Sequence, residues 1–232
     1  MEFTKSLIKG KLIRRYKRFF TDIKLNKKII TAHCPNTGSM KGLLDEGNEV
    51  FLLQNNDPKR KLKYGLEIIK ARKNLVGVNT HMANHIVHHA LKNNLIKELK
   101  NNKSIKSEVY YNDETRFDFL LEKNEKKIFL EVKNVTLFRN KNTAEFPDAV
   151  TSRGSKHLLT LIDAINKGYK AYLLFLVQIQ NMKYFKIAKD IDVEYYKNFN
   201  IAKKAGVNFL AYRCKINSKK IFIDKKLEII DE

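Results

Sequence analysis

The sequence predicts an α/β protein in two parts, a small β-barrel followed by a mixed-sheet α/β domain. Three observations carry that expectation. Residues 1–72 break into short strand-forming runs joined by polar turns, whereas the remainder alternates helical with strand periodicity. Between Arg116 and Val135 lie two runs rich in aromatic and branched apolar residues, separated by Lys123-Asn124-Glu125-Lys126, the pattern of an antiparallel hairpin. At 232 residues the chain has room for one large domain or two small ones. The segment Asn74 to Asn79 (NLVGVN) reads as a junction, dividing the chain into residues 1–75 and 76–232.

In the first part the expected strands are Leu12 to Phe20, Ile23 to Leu25, Ile29 to His33, Val50 to Gln54 and Leu62 to Lys70, with turns at Asn26-Lys27 and Asn55-Asn56-Asp57-Pro58. So many short strands suggest a barrel of the OB type, which binds nucleic acids on one face. Two readings fit the basic, aromatic run Lys11 to Phe20 (KLIRRYKRFF). Arg14, Arg15, Lys17 and Arg18 track phosphates while the rings stack on bases, or the run is an amphipathic strand with a solvated charged side. The long loop His33 to Gly47, dense in Gly and small polar residues, can offer N–H groups and hydroxyls to a phosphate, although it lacks P-loop spacing. Turn formation accounts for most of it. His33 and Asn36 are its candidate binding residues.

The second part opens with helical spacing over Met82 to Lys100, with Met82, Ile86, Val87, Ala90, Leu91, Leu95 and Leu99 on one side. His85 and His89 have the i,i+4 spacing of a zinc helix, but the H-E-x-x-H glutamate is missing, so these histidines read as exposed polar residues. A short strand at Glu108 to Tyr111 leads into the hairpin. If its turn centres between Asn124 and Glu125, Asp118 lies opposite Glu131 and Arg116 opposite Lys133. Alternation then sends all four side chains to one side of the sheet, and Phe117, Phe119, Leu130 and Val132 to the other.

Facing carboxylates repel. Asp118 and Glu131 therefore ask for a cation, and oxygen ligands of this kind suit Mg²⁺ or Mn²⁺. Lys133, two residues beyond Glu131, is placed to orient a metal-bound water or stabilise a phosphoryl transition state. The alternative is a surface patch in which Arg116 and Lys133 neutralise two acids.

A helix follows, with Leu158, Leu159, Leu161, Ile162 and Ile165 as its apolar face and Gly168 as its end. Arg153, Lys156 and His157 lie at its start, where cations and free N–H groups can jointly hold a phosphate; a simple start capped by Ser152 would not require three adjacent cations. The almost unbroken apolar run Ala171 to Val177 reads as a strand covered on both faces. A helix over Val193 to Ala205, a strand over Val207 to Cys214 and a further strand at Ile221 to Ile223 complete the chain, the strand–helix–strand order implying a parallel addition to the sheet.

Lys and Arg total 46 against 25 acidic residues, a formal charge of +21 that favours a polyanionic partner such as nucleic acid. Hydrophobic residues make up 43% without a long apolar run, which argues against a transmembrane span, and the start Met1-Glu-Phe-Thr-Lys lacks a signal-peptide core. A cytoplasmic protein with Cys34 and Cys214 as reduced thiols is expected.

The order helix, three strands, helix, strand, with an acid on the second strand and E-x-K on the third, resembles the PD-(D/E)XK restriction-endonuclease-like core. More closely, HCPNTGSM at 33–40, RFDFLL at 116–121, EVKNVTL at 131–137, FPDAVTSRGSKHL at 146–158 and LLFLVQ at 173–178 resemble the sugar fermentation stimulation protein A family over nearly the whole chain. That resemblance implies an N-terminal OB-like domain, a C-terminal nuclease-like domain, DNA binding and a link to regulation of maltose metabolism genes. Asp118, Glu131 and Lys133 match the nuclease signature; Asp148, Arg153, Lys156 and His157 match the family's own block. The chain departs from the pattern twice. Asn112-Asp-Glu-Thr replaces a Gly turn before Arg116, and the first helix lacks an inward acid, Glu98 lying near its end. The readings are a DNA-binding protein with a divalent-metal nuclease site, a non-catalytic DNA-binding module, or a transcriptional regulator.

Overall fold

The computed structural model describes residues 2–231. Leu12 and Ile23 both belong in the barrel interior, and a hairpin is what brings them side by side. Accordingly β1 (Ile8–Tyr16) and β2 (Phe20–Leu25) are antiparallel partners, with Leu12 opposite Ile23 and Tyr16 opposite Phe20. The single strand expected from Leu12 to Phe20 is thus corrected: the chain reverses at Lys17 and Arg18, whose φ values of 47° and 60° make the tight turn despite unremarkable turn chemistry. β3 (Lys28–His33) follows β2, β4 (Glu49–Gln54) pairs with β1, and β5 (Tyr64–Ala71) pairs with β4. His33 of β3 meets Gly65 of β5 in parallel, closing the barrel around Leu12, Ile23, Val50, Leu52 and Leu66.

The junction segment is itself a strand, β6 (Asn74–Gly77), which pairs with β5 and bridges through Val76 to Ile179 of the second domain. Gly77 N–H donates to Gln178 O at 2.9 Å. A Cβ at Gly77 would lie 2.4 Å from Gln178 Oε1 and 3.2 Å from Ile221 Cδ1, so a larger residue here would have to displace the buried Gln178 side chain where the two domains meet. One apolar core runs from barrel residues such as Leu12 and Ile23 to Leu158 and Phe175.

In the second domain α1 (Met82–Lys92) is shorter than its apolar periodicity predicts. Asn93 Nδ2 donates to His89 O at 2.8 Å and Asn94 adopts φ 54°, ending the helix; Leu99 is reached by a separate 3-10 turn at Lys97–Leu99. The strands are β7 (Ser104–Tyr110), β8 (Arg116–Lys123), β9 (Lys126–Val135), β10 (Thr143–Phe146), β11 (Lys170–Val177), β12 (Tyr184–Ile187), β13 (Asn208–Ile216), β14 (Ile221–Lys226) and β15 (Glu228–Ile229). Between them lie α2 (Ser152–Asn166) and α3 (Val193–Lys204). The main sheet has the order β14-β13-β11-β9-β8-β7, with β9, β11 and β13 parallel and the remaining neighbours antiparallel.

Central β11 is covered on both faces, as its composition requires. Leu173, Phe175 and Val177 join the core that contains α2 and α3, whereas Leu174 and Leu176 join the core beneath α1. β10, β12 and β15 form a small parallel sheet too short to leave a periodic signal. Among the described residues no helix is long and apolar enough to cross a membrane.

Candidate metal-binding and nucleic-acid-binding groove

The hairpin turns on Asn124 and Glu125, both in the left-handed region at 48° and 61°, and its register places Phe119 opposite Leu130 and Leu121 opposite Ile128. The sequence-based register therefore holds along its paired length. The alternation beyond it does not. Phe117 packs on Phe129 and Tyr111, with ring centroids 5.2 and 5.4 Å away, whereas Phe119 lies in the α1 core. Beside this slip β7 is irregular at Glu108, where φ is 56°. Named β8–β9 pairing ends at Phe119 and Leu130, and Val132 N–H donates instead to Asp118 Oδ2 at 2.7 Å. Asp118 thus occupies the point where the two strands part.

The expectation that Arg116, Asp118, Glu131 and Lys133 share one side is corrected accordingly. Asp118 reaches α1, where Asn84 Nδ2 donates to its Oδ1 at 2.7 Å and to Glu108 Oε1 at 3.2 Å. Glu131 lies toward α2, its Oε1 held by His157 Nδ1 and by Lys133 Nζ at 2.8 Å. The two acids remain electrostatically linked. Burial, then the charge of Glu131, pushes the Asp118 carboxyl up to about 6. Burial would also raise Glu131, but Lys133 and His157 together hold it below its ordinary value. Two neighbouring carboxyl groups pushed apart in this way are a signature of sites built for chemistry.

Glu131 is only 3% exposed, and its Oε2 is buried with no hydrogen-bond partner among the described residues. An unsatisfied carboxylate oxygen coupled to a second carboxyl group whose charged form is disfavoured by burial fits a hard divalent cation. Among the described residues no group of three His, Cys, Asp or Glu side chains is placed to hold a metal. At the inward position of α1 stands Asn84, a residue that a search for acids passes over; its one sequence signal is a polar residue beside the buried stripe of Ala83, Ile86 and Val87. Glu98 is elsewhere, bonded to Tyr212 Oη at 2.7 Å and Lys226 Nζ at 2.6 Å.

The start of α2 is built tightly. Its cap is Thr151 rather than Ser152, Gly154 N–H donating to Thr151 Oγ1 at 3.0 Å. A Cβ on Gly154 would come within 2.9 Å of that oxygen and 3.1 Å of the Tyr195 ring. This turn presents Arg153 to the groove and sends His157, 8% exposed, inward onto Glu131. Lys156 points elsewhere and pairs with Glu114 at 2.7 Å. The loop before Arg116 is an Asx turn, Asn112 Oδ1 accepting from Thr115 N at 2.7 Å, so no left-handed residue is needed there.

Three cavities with shared walls form one groove. The first, 600 Å³, is lined by Arg15, Arg18, Gly38 and Asp148. Gly38 and Asp148 also line the second, 380 Å³, which adds Asn36, Lys133 and Arg153. Through Thr80 and Asn134 it meets the third, 580 Å³, which holds Asn84, His85, Glu108 and Asp118. Asp148 also joins the domains, its Oδ2 accepting from Ser39 Oγ at 3.0 Å and Met40 N at 3.2 Å. Arg15 staples the same loop by donating to Asn36 O at 2.6 Å and Gly38 O at 3.0 Å. Arg14 is tied to Asp22 at 2.9 Å, Lys17 is at the β1–β2 turn, and Arg116 pairs with Glu108 at 2.9 Å; these three are not among the groove walls. His33 lines a separate cavity.

Comparison with known proteins agrees with this architecture. Residues 13–78 match the family model described as the SfsA N-terminal OB domain, and residues 81–220 match that of the sugar fermentation stimulation protein RE domain. The sugar fermentation stimulation protein homolog of Pelagibacter ubique is 74% identical over 231 residues, covering 100% of both chains. That of Pseudoalteromonas atlantica is 44% identical, covering 99% of this chain and 100% of the relative. The structure of Pyrococcus furiosus SfsA in complex with Ca²⁺ superposes with a TM-score of 0.89 at 24% identity, covering 100% of this chain and 98% of that one. The fold is an OB barrel followed by a restriction-endonuclease-like mixed-sheet α/β domain.

Proposed function

The chain belongs to the sugar fermentation stimulation protein family, and on that footing we propose that it binds DNA in the interdomain groove and hydrolyses phosphodiester bonds there with a divalent metal. The observation that carries this reading is the electrostatic coupling of Asp118, on the groove wall, to Glu131, whose buried Oε2 has no hydrogen-bond partner among the described residues, beside cavity walls that carry Arg15, Arg18, Lys133 and Arg153. In this reading residues 1–75 supply one wall and residues 76–232 the reacting groups.

Asp118 and Glu131 would hold Mg²⁺ or Mn²⁺; a relative's structure with Ca²⁺ supports a hard divalent ion. Held by these two residues, such an ion would supply Lewis-acid polarisation of a phosphoryl oxygen and would ease loss of a proton from the attacking water. Lys133 Nζ, 2.8 Å from Glu131 Oε1, supplies positive charge where the phosphate gains negative charge. His157 holds the same oxygen, leaving Oε2 for the ion, and Arg153 grips a phosphate from the start of α2.

The test is incubation of the purified protein with supercoiled and with single-stranded DNA in Mn²⁺, Mg²⁺ or EDTA, beside Asp118→Asn. Metal-dependent nicking that disappears in the variant is expected. A second reading, a non-catalytic DNA-binding module, is favoured by the lack, among the described residues, of a third acidic or imidazole ligand. Retardation of DNA without cleavage in every metal would select it.

A further inference from the structure

A fourth cavity of 330 Å³ opens beside the groove and is not used by the chemistry above. It lies where β3 and β5 close the barrel, walled by the ends of both strands, the β4–β5 loop and the segment entering α1. Its walls include the rings of Tyr64, His33 and His81 and the apolar side chains of Pro35, Leu53 and Leu62. Asn55 and Asn79 add amides. At the bottom is Glu67, 5% exposed, while Arg60 is exposed at the edge. Both Glu67 oxygens accept from the same Asn79 nitrogen, each at 3.0 Å, which leaves acceptor capacity on a carboxylate with no cationic partner among the described residues. Burial pushes that carboxyl up to about 7 against the opposing pull of Asn79. His81 is shared with the cavity that holds Asp118, so one strand of nucleic acid can enter both.

We propose that this cavity is a subsite for one unpaired nucleobase of a strand lying in the groove, its flat walls stacking on the ring and Glu67 accepting from an exocyclic amino group. Cavities of about 300 Å³ and above, mostly apolar with a few placed polar groups, are the usual form of a small-ligand site. A carboxylate acceptor suits cytosine, adenine and guanine, whose amino groups donate, and is mismatched to thymine, which presents oxygens on either side of its one donor. The base must be unpaired to enter. The inference rests on the groove being a nucleic-acid site and adds that the strand is single at the barrel closure, with a base preference.

The experiment is fluorescence anisotropy in EDTA with short labelled oligomers of dC, dA and dT and a duplex of mixed sequence, using wild type, Glu67→Met and Arg60→Ala. Wild type is expected to bind dC and dA about tenfold more tightly than dT. Glu67→Met, which has no acceptor oxygen, should largely abolish that preference and leave duplex affinity unchanged, whereas Arg60→Ala should weaken all three oligomers alike. As a measurement needing no substitution, ultraviolet crosslinking of an oligomer carrying 5-iododeoxycytidine should attach to Tyr64, His33 or His81 of the wild-type chain. Binding of single strands without base preference, together with crosslinks outside these residues, would overturn the subsite and leave the groove reading standing. Failure of every oligomer and of the duplex to bind would overturn both.

Discussion

Asp118 shows at the scale of one residue how a site is maintained against stability. Its carboxyl is raised from an ordinary 3.8 to about 6 by burial and then by Glu131, so the folded protein holds a proton there more tightly than the unfolded chain does. The penalty for keeping Asp118 charged is absent below about pH 4, grows between pH 4 and 6, and is constant above that. Asp118→Asn removes the charge but keeps an oxygen to accept from Val132 N–H. In EDTA the variant should be more stable than wild type by about 1–3 kcal/mol at pH 7.5, with the difference shrinking below pH 6 and vanishing near pH 4. Urea melts of both proteins across that range check it; a variant equally stable or weaker at pH 7.5 would mean the carboxylate is not under repulsion.

Elements, rather than single residues, decide which side chains meet at this point. Asn84 contacts Asp118 because α1 lies across the sheet with Ala83, Ile86 and Val87 buried, which turns position 84 to the edge where β8 leaves β9. Asn84→Asp would replace a donor by a third carboxylate. Without metal it should lower stability by about 1–3 kcal/mol through like-charge contact with Asp118 and Glu108. With millimolar Mn²⁺ it should recover more than wild type gains, because an added carboxylate both binds the ion and is neutralised by it. Thermal melts with and without Mn²⁺ read both effects, and equal metal-induced shifts in the two proteins would exclude a metal bound between α1 and Asp118. The same elements explain what was legible beforehand. Hairpin register could be read because β8 and β9 alternate cleanly up to Phe119 and the turn Asn124-Glu125 is short. The slip at Asp118 was hidden, since it depends on Glu108 and Val132 from neighbouring strands. The apolar spacing overstates α1 because Leu95 and Leu99 keep helical periodicity after Asn93 and Asn94 have ended the helix. Asn84 carried no acid to mark it, and the turn at Lys17-Arg18 had no glycine or proline.

For the whole molecule, the question is how much of the +21 charge acts on a ligand. Several of the 46 cations are paired within the fold, Arg14 with Asp22, Arg116 with Glu108, Lys156 with Glu114 and Arg139 with Glu145 and Asp190, and these pairs leave the excess of 21 untouched. The groove collects a smaller set, Arg15 and Arg18 from the barrel with Lys133 and Arg153 from the second domain. Since these lie on both sides of the domain junction, the groove exists only while the domains are locked by β6, Gly77 and the Asp148 clasp on Ser39 and Met40. If the groove cations are the ones that displace counterions, duplex affinity should fall with salt at a log–log slope of about −3 to −4, far shallower than the net charge would suggest. Arg18→Ala, exposed and outside the chemistry, should reduce that slope by about 1 and weaken all sequences alike. Asp148→Ala adds no charge to the groove walls beyond losing one acid, which by electrostatics alone should tighten binding. Through the lost clasp it should instead weaken binding and make it shallower in salt, because the barrel cations are no longer held opposite Arg153. Anisotropy titrations from about 50 to 300 mM salt separate these causes; tighter binding by Asp148→Ala at every salt concentration would mean that charge, not domain alignment, governs the groove.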